Sequence, residues 1–223
     1  MIDRNRIFLG CNYNDKKIKR QFDNLKKRIE KDTPLLCVII DKRIGQPAED
    51  IWELIKENIE NSSACVFDVT GFRPNVVLEL GYALSIKPSS SIFITFRNRR
   101  SRGKIPGWLL TDIGHLSRKN YIHIGDLETH VRNELLKIPY GADFQIFNGK
   151  CEVTGAPERY RQIGLLILQN IRDHGPQGEQ QIRALMSGTA CRFAKIISLL
   201  KSCRLLSRHE GRHGKFYIPL LEH

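Results

Sequence analysis

Residues 68–84 read DVTGFRPNVVLELGYAL and place two carboxylates, Asp68 and Glu79, on either side of a turn. Asp68 closes an apolar run that reads as a strand. TGFRPN is the turn, and the helix after it is apolar almost all the way round: Val76, Val77, Leu78, Leu80, Tyr82, Ala83 and Leu84 surround Glu79. An unpaired carboxylate in such surroundings costs several kcal/mol, roughly, unless it is hydrogen-bonded or protonated. Two carboxylates meeting in one cleft suit chemistry at C1 of a sugar. Cleavage of a glycosidic bond passes through an oxocarbenium-like transition state, which one carboxylate stabilises or attacks while a second acid assists the leaving base. Asn75 lies four residues before Glu79 and shares its helix face. The helix N-terminus beside them favours anionic or polar ligand groups. Asp68, Asn75 and Glu79 are therefore expected to converge on one cleft, with Asp68 and Glu79 as the catalytic pair. The same residues admit a purely structural account, in which Glu79 complements the helix dipole or pairs with Arg73.

Such a cleft needs a scaffold, and the sequence supplies the pattern of one. NRIFLGC (5–11), LLCVIID (35–41), ACVFDVT (64–70), SIFITF (91–96) and NYIHIG (120–125) read as five apolar strands. Between them lie helices at 15–31, 48–62 and 75–85, and a fourth follows at 126–138 with Asp126 as its expected N-cap. In the first helix Ile18, Phe22, Leu25 and Ile29 share a face; in the second Ile51, Leu54, Ile55 and Ile59 do. Alternating strands and helices predict an α/β fold, and near-continuous apolar strands predict a parallel sheet with helices on both faces. Five strands fit the flavodoxin-like order 2-1-3-4-5. Ligands bind such sheets beyond the carboxyl ends of the strands, where the order reverses. This brings the loop GCNYN after strand 1 to the cleft, so Gly10, Cys11, Asn12 and Tyr13 join Arg73 and Asn75 as expected substrate-binding residues.

Residues 139–158, with Gly, Pro and Asn and no clear period, mark a boundary. The expected organisation is an α/β domain over 1–140, a linker over 141–157 and a second domain over 158–223. The second domain reads as helices at 158–173, 179–187 and 190–203, followed by a strand–turn–strand at 204–218 around EGRHG. In the last helix Phe193, Ile196, Ile197 and Leu200 read as core and leave Arg192, Lys195 and Lys201 for the surface. The hairpin adds Arg208, Arg212, His213 and Lys215.

The formal net charge of +12 over 223 residues predicts attraction to a polyanion, nucleic acid first. An arginine-rich stretch, RNRRSRGK at 97–104, reads as an exposed loop and a rival source of that charge. No apolar run approaches the ~18 residues of a membrane span. MIDRNRIFLG lacks the long apolar core of a signal peptide, so a cytoplasmic protein with no membrane partner is expected. Six cysteines form no CxxC and no Cys/His set with zinc spacing, which predicts free thiols and no metal.

DVTGFRPNVVLELGYAL resembles the motif D-x-[ST]-G-x-x-P-N-V-x-x-E-L-G-Y-A of bacterial TIR-like proteins, themselves distantly similar to nucleoside 2-deoxyribosyltransferases. TDIGHLSRKNYIHI (111–124) is similar to the passage into that family's last strand, and the resemblance covers about residues 5–138. It implies that Glu79 is the catalytic carboxylate and Asp68 a site residue. The loop after strand 1 departs from the family in reading GCNYN rather than a Ser-rich or Met-Pro-Phe-like segment. TACRFAKIISLLKSCRLLSRHEGRHGKFYIP resembles the recognition helix and wing of winged helix-turn-helix regulators. Together these imply an N-glycosidic bond hydrolase acting on NAD or a related nucleotide as substrate, with no further cofactor. They also imply an antiphage or toxin-like effector gated by self-association or by nucleic acid held on the winged helix. The rival readings are a nucleotide-sensing, DNA-binding regulator without catalysis, and a module that only mediates assembly.

Overall fold

The computed structural model describes residues 3–40, 48–97, 117–189, 191–211 and 214–218. Five strands, β1 (Asp3–Gly10), β2 (Leu36–Val38), β3 (Ser62–Asp68), β4 (Ile92–Arg97) and β5 (Ser117–Tyr121), form one sheet in the order β2-β1-β3-β4-β5. Every pairing is parallel. The order reverses between β1 and β3, the switch point that the sequence pattern leads one to expect. Helices α1 (Lys16–Asp32), α2 (Ala48–Asn61), α3 (Pro74–Ile86) and α4 (Ile124–Leu135) connect or follow the strands. Asp15 starts α1 by accepting from the Lys17 and Ile18 amides at 2.9 and 3.2 Å. Ile18, Phe22, Leu25 and Ile29 are its buried face.

The two sides of the sheet carry separate cores. On one, Phe8, Ile59, Phe67, Val76, Leu80 and Ile94 pack β1, β3 and β4 against α2 and α3. On the other, Ile7, Leu9, Val66, Phe93 and Tyr121 pack against α1 and α4, and this cluster runs on without a break into the C-terminal part.

The C-terminal part begins with α5 (Pro139–Cys151) and α6 (Pro157–His174), followed by β6 (Gln177–Gly178), α7 (Glu179–Leu185), α8 (Phe193–Ser202), β7 (Ser207–Gly211) and β8 (Gly214–Ile218). Here three strands pair antiparallel in the order β6-β8-β7. In α8, Ile196, Ile197 and Leu200 are buried as their spacing predicts, and Phe193 is half-buried under the Arg183 guanidinium.

Three expectations are corrected. The stretch 141–157, expected as a linker, is helical as far as Cys151. Tyr140, Phe144, Phe147 and Cys151 are buried at helical spacing, a period obscured by Pro139 and Gly141. Pro139 opens the helix, where a missing N–H costs nothing. Gly141 allows a close approach: a Cβ there would lie 2.1 Å from the Leu135 carbonyl oxygen. The fifth strand, expected at 120–125, lies at Ser117–Tyr121. The helix after it starts at Ile124, so Asp126 is its third residue rather than its N-cap. The Asp126 carboxylate reaches back to accept from the amides of His123 and Ile122 at 3.0 and 3.3 Å.

Polar contacts as well as core join the two parts. Arg4 of β1, 2% exposed, pairs with Asp143 of α5 at 2.7 Å and donates to the Arg204 carbonyl at 2.9 Å. Arg172 of α6 donates to the carbonyls of Glu30, Thr33 and Leu35, capping the connection from α1 to β2. All six cysteines are free thiols. Among the described residues no helix is long and apolar enough to cross a membrane, and no group of three or more His, Cys, Asp and Glu is placed to hold a metal ion.

Candidate functional site

A cleft of about 560 Å³ opens beyond the carboxyl end of β1. Its walls come from the loop after β1 (Cys11, Asn12, Tyr13, Asn14, Asp15), from Ile40, from Ile51 and Ile55 of α2, and from Arg73, Pro74, Asn75, Val76 and Glu79 at the start of α3. Six of the eight residues assigned to the site from sequence are thus brought together: Cys11, Asn12, Tyr13, Arg73, Asn75 and Glu79. Gly10 lies directly beneath them. A Cβ on Gly10 would stand 2.9 Å from Glu79 Oε2 and 2.5 Å from the Phe67 ring, so only glycine lets the glutamate settle against the end of β1.

The turn before α3 aims that helix at the cleft. Gly71 and Phe72 are both left-handed, with φ of 73° and 48°, and the Phe72 amide donates to the Val69 carbonyl at 3.0 Å. A non-glycine residue in that region is uncommon and holds only where its surroundings enforce it. Here the half-buried Phe72 ring packs against the α3-side core. Pro74 then opens α3, whose first backbone bond runs from the Val77 amide to the Arg73 carbonyl. The amides of Asn75 and Val76 precede that bond and are not used within the helix. With the helix dipole they give this wall of the cleft a positive bias.

Glu79 is the one carboxyl on this wall. Burial pushes its pKa up to about 7, and no opposing charge or hydrogen bond moves it back. Among the described residues it has no ion-pair partner; Arg73, exposed at the N-cap of α3, makes none with it. Neither structural account of Glu79, pairing with Arg73 or service to a helix terminus, explains a desolvated carboxyl one turn into the helix. The Tyr13 hydroxyl is committed to Asp23 at 2.6 Å, and the Lys19 ammonium stands 4.5 Å from the ring centroid, which fixes the ring in the wall.

Asp68 does not enter the cleft. It is 1% exposed, and its carboxylate accepts from the Thr70 amide at 2.8 Å and the Tyr121 hydroxyl at 2.5 Å. Successive strand residues face opposite sides of a sheet. Phe67 belongs to the core on the α3 side, whereas Tyr121, the partner of Asp68, belongs to the core on the other. Burial pushes the Asp68 pKa up, and its bonds to Thr70 and Tyr121 oppose that. In this arrangement Asp68 pins the turn that presents α3, and it is not brought to the cleft wall beside Glu79.

Sequence reading missed the apolar wall. Ile51, Leu54, Ile55 and Ile59 share one face of α2, but only Ile59 is fully buried. Ile51 and Ile55 are half-buried in the cleft wall, and nothing in their spacing separates lining from core.

The expected nucleic-acid residues are placed in part. Arg192 and Lys195 are exposed at the start of α8, with the Lys195 ammonium 5.2 Å from the Tyr160 ring centroid. Arg208 is exposed on β7 and pairs with Glu210 at 3.2 Å. Arg212 and His213 lie outside the described residues, as do residues 98–104 of the arginine-rich stretch, and the Lys215 side chain is not described. Compared with family models and with curated proteins, the chain matches none.

Proposed function

We propose that the cleft binds NAD or a related nucleotide and that Glu79 drives hydrolysis of its N-glycosidic bond. The observation that carries this reading is a desolvated carboxyl, without a partner among the described residues, on the wall of a cleft at the sheet's switch point. In the reaction the C1′–N bond breaks and its electron pair leaves with the base. The ionised Glu79 stabilises the positive charge on the ribosyl ring, water adds to C1′, and a proton is released. Nicotinamide leaves as a neutral base, so a single carboxylate suffices for this substrate and no second acid is required. The side chains of Ile51, Ile55 and Tyr13 offer an apolar wall to a base, and Arg73 with the start of α3 offers positive potential to phosphates.

We infer further that residues 158–223 form a winged helix-turn-helix module. The order α6-β6-α7-α8-β7-β8, with β6 completing a three-stranded antiparallel sheet, supports it. α8 would then read nucleic acid through Arg192 and Lys195, with the β7–β8 hairpin on phosphates. The protein is proposed to act in the cytoplasm as an antiphage or toxin-like effector, gated by self-association or nucleic acid. One observation favours the alternative of a nucleotide-sensing, DNA-binding regulator: with Asp68 outside the cleft, the expected carboxylate pair is reduced to one.

Release of free base separates the two. Purified protein incubated with NAD, ATP or nucleosides, alone and with DNA, should liberate base from at least one of them. Glu79→Gln, which keeps shape and removes charge, should lower the rate at least 100-fold, about 2.7 kcal/mol in the barrier. Activity surviving within tenfold removes Glu79 from the chemistry. Nucleotide binding without any base release establishes the regulator.

A further inference from the structure

The solvent face of α1 carries a charge arrangement that the site above does not use. The buried residues Ile18, Phe22, Leu25 and Ile29 fix how the helix is rotated on the sheet. At about 100° per residue, Lys16, Arg20, Lys27 and Lys31 then fall within roughly 60° of arc, diametrically opposite that buried face. All four are exposed, and Lys17 is exposed beside them. Among the described residues none of these five has an acidic partner. The three acids of α1 are engaged elsewhere. Asp23, half-buried in the same row, accepts from the Tyr13 hydroxyl. Glu30 pairs with Lys26 at 3.1 Å and accepts from the Cys37 amide, and Asp32 pairs with Arg132 at 2.7 Å.

The placement also works against the helix itself. Lys16 and Lys17 occupy the first turn of α1, where no acid is present and where the dipole disfavours cations. A row of charge that has no acidic partner among the described residues, and whose first two members weaken their own helix, is suited to an external polyanion.

We propose that this face of α1 is a docking track for the phosphate backbone of a nucleic acid. From Lys16 to Lys31 the row is about 22 Å long, the length of about six base pairs. A row of cations with no base-reading groups between them, apart from Asn24, fits the backbone rather than a particular sequence. The track begins beside the cleft, because Tyr13, Asn14 and the α1 N-cap Asp15, which directly precede Lys16, line it. A strand lying on α1 therefore reaches the cleft, whatever chemistry Glu79 performs. The surface is distinct from Arg192 and Lys195 of α8.

The test uses the full chain and fluorescein-labelled probes of mixed sequence, a 16-base-pair duplex and a 16-nucleotide single strand, with anisotropy followed across a KCl series. The wild type should bind at least one probe, and the tighter of the two identifies the form of nucleic acid. Changing Lys16, Lys17, Arg20, Lys27 and Lys31 together to Ala should weaken binding at least 100-fold at 100 mM KCl. On the duplex it should flatten the log–log salt slope by about four units. Lys16→Glu with Lys17→Glu guards against a folding artefact: it should raise Tm, because acids suit a helix N-terminus, while lowering affinity at least tenfold. Anisotropy is read without any nucleotide turnover, so loss of the catalytic reading leaves this one standing. The proposal is overturned if neither probe binds below about 10 μM. It is equally overturned if the five-alanine variant binds as the wild type while Arg192→Ala with Lys195→Ala abolishes binding, or if the two glutamates raise Tm and leave affinity unchanged.

Discussion

Asp68 and Glu79 are both carboxyls withdrawn from water, and a single turn of chain joins the elements that carry them. Their surroundings differ in kind. Asp68 faces the α1 and α4 side of the sheet, where the Thr70 amide and the Tyr121 hydroxyl fill its acceptor positions. Glu79 faces the cleft on the other side with no bond from the described residues, and burial alone sets its pKa. A buried carboxyl that is bonded contributes to the fold; one that is not weakens it and is retained for another reason. The contrast separates an acid built into the turn, Asp68, from the acid on which the proposed function rests, Glu79.

The largest effect on stability is expected at the bonded acid. Asp68→Ala leaves the Thr70 amide and the Tyr121 hydroxyl buried without their acceptor, and should lower the unfolding free energy by about 4 kcal/mol, read by urea denaturation. Loss below 1 kcal/mol would break the comparison from the Asp68 side.

Glu79 should behave in the opposite way. Its folded pKa of about 7 lies above the 4.5 of the unfolded chain, so the folded protein holds more protons between those values. The stability this group contributes is full below about pH 4.5 and is lost as pH rises through about 7. Glu79→Gln should therefore be more stable than the wild type by about 3 kcal/mol at pH 8, with little difference at pH 4.5, in urea series run at both values. A destabilised variant at pH 8 would show that the carboxylate has a partner.

Gly10→Ala sharpens the contrast with the smallest change. The added methyl meets the Phe67 ring and displaces Glu79 Oε2. Overpacking of this kind costs about 1–2 kcal/mol. Base release should fall by more than that loss of folded protein explains, measured as kcat/KM on protein verified folded by circular dichroism. An alanine that costs stability but leaves kcat/KM intact would separate Gly10 from the site.

Much of this is legible in the sequence. Apolar strands such as ACVFD and IFITF announce a sheet buried on both faces, and the order 2-1-3-4-5 follows from the fold class they imply. That order places the loop after β1 against the start of α3, which is why Cys11 to Tyr13 and Arg73 to Glu79 meet in one cleft. Asp68 was misplaced because the end of a strand gives an address and not a face; its alternation with Phe67 decides the face. Helix α5 was hidden by Pro139 and Gly141, two residues that break most helices and here begin one and fit it against Leu135. Strand β6 has only two residues and carries no period. Arg4 reads as an ordinary charge near the start of the chain, and only its pairing with Asp143 across 139 residues shows why it is buried.

The most direct test of the account is the pH dependence of kcat/KM for base release, with the substrate held well below KM. In the proposed reaction the ionised form of Glu79 is the active one, so the profile should rise tenfold per pH unit from the acid side and level off near pH 7, the pKa that burial gives this carboxyl. In Glu79→Gln the residual rate should have no such limb. A wild-type profile that is flat between pH 5 and 8, or a limb near 7 that persists in Glu79→Gln, would contradict the assignment of Glu79 as the group that cleaves the bond.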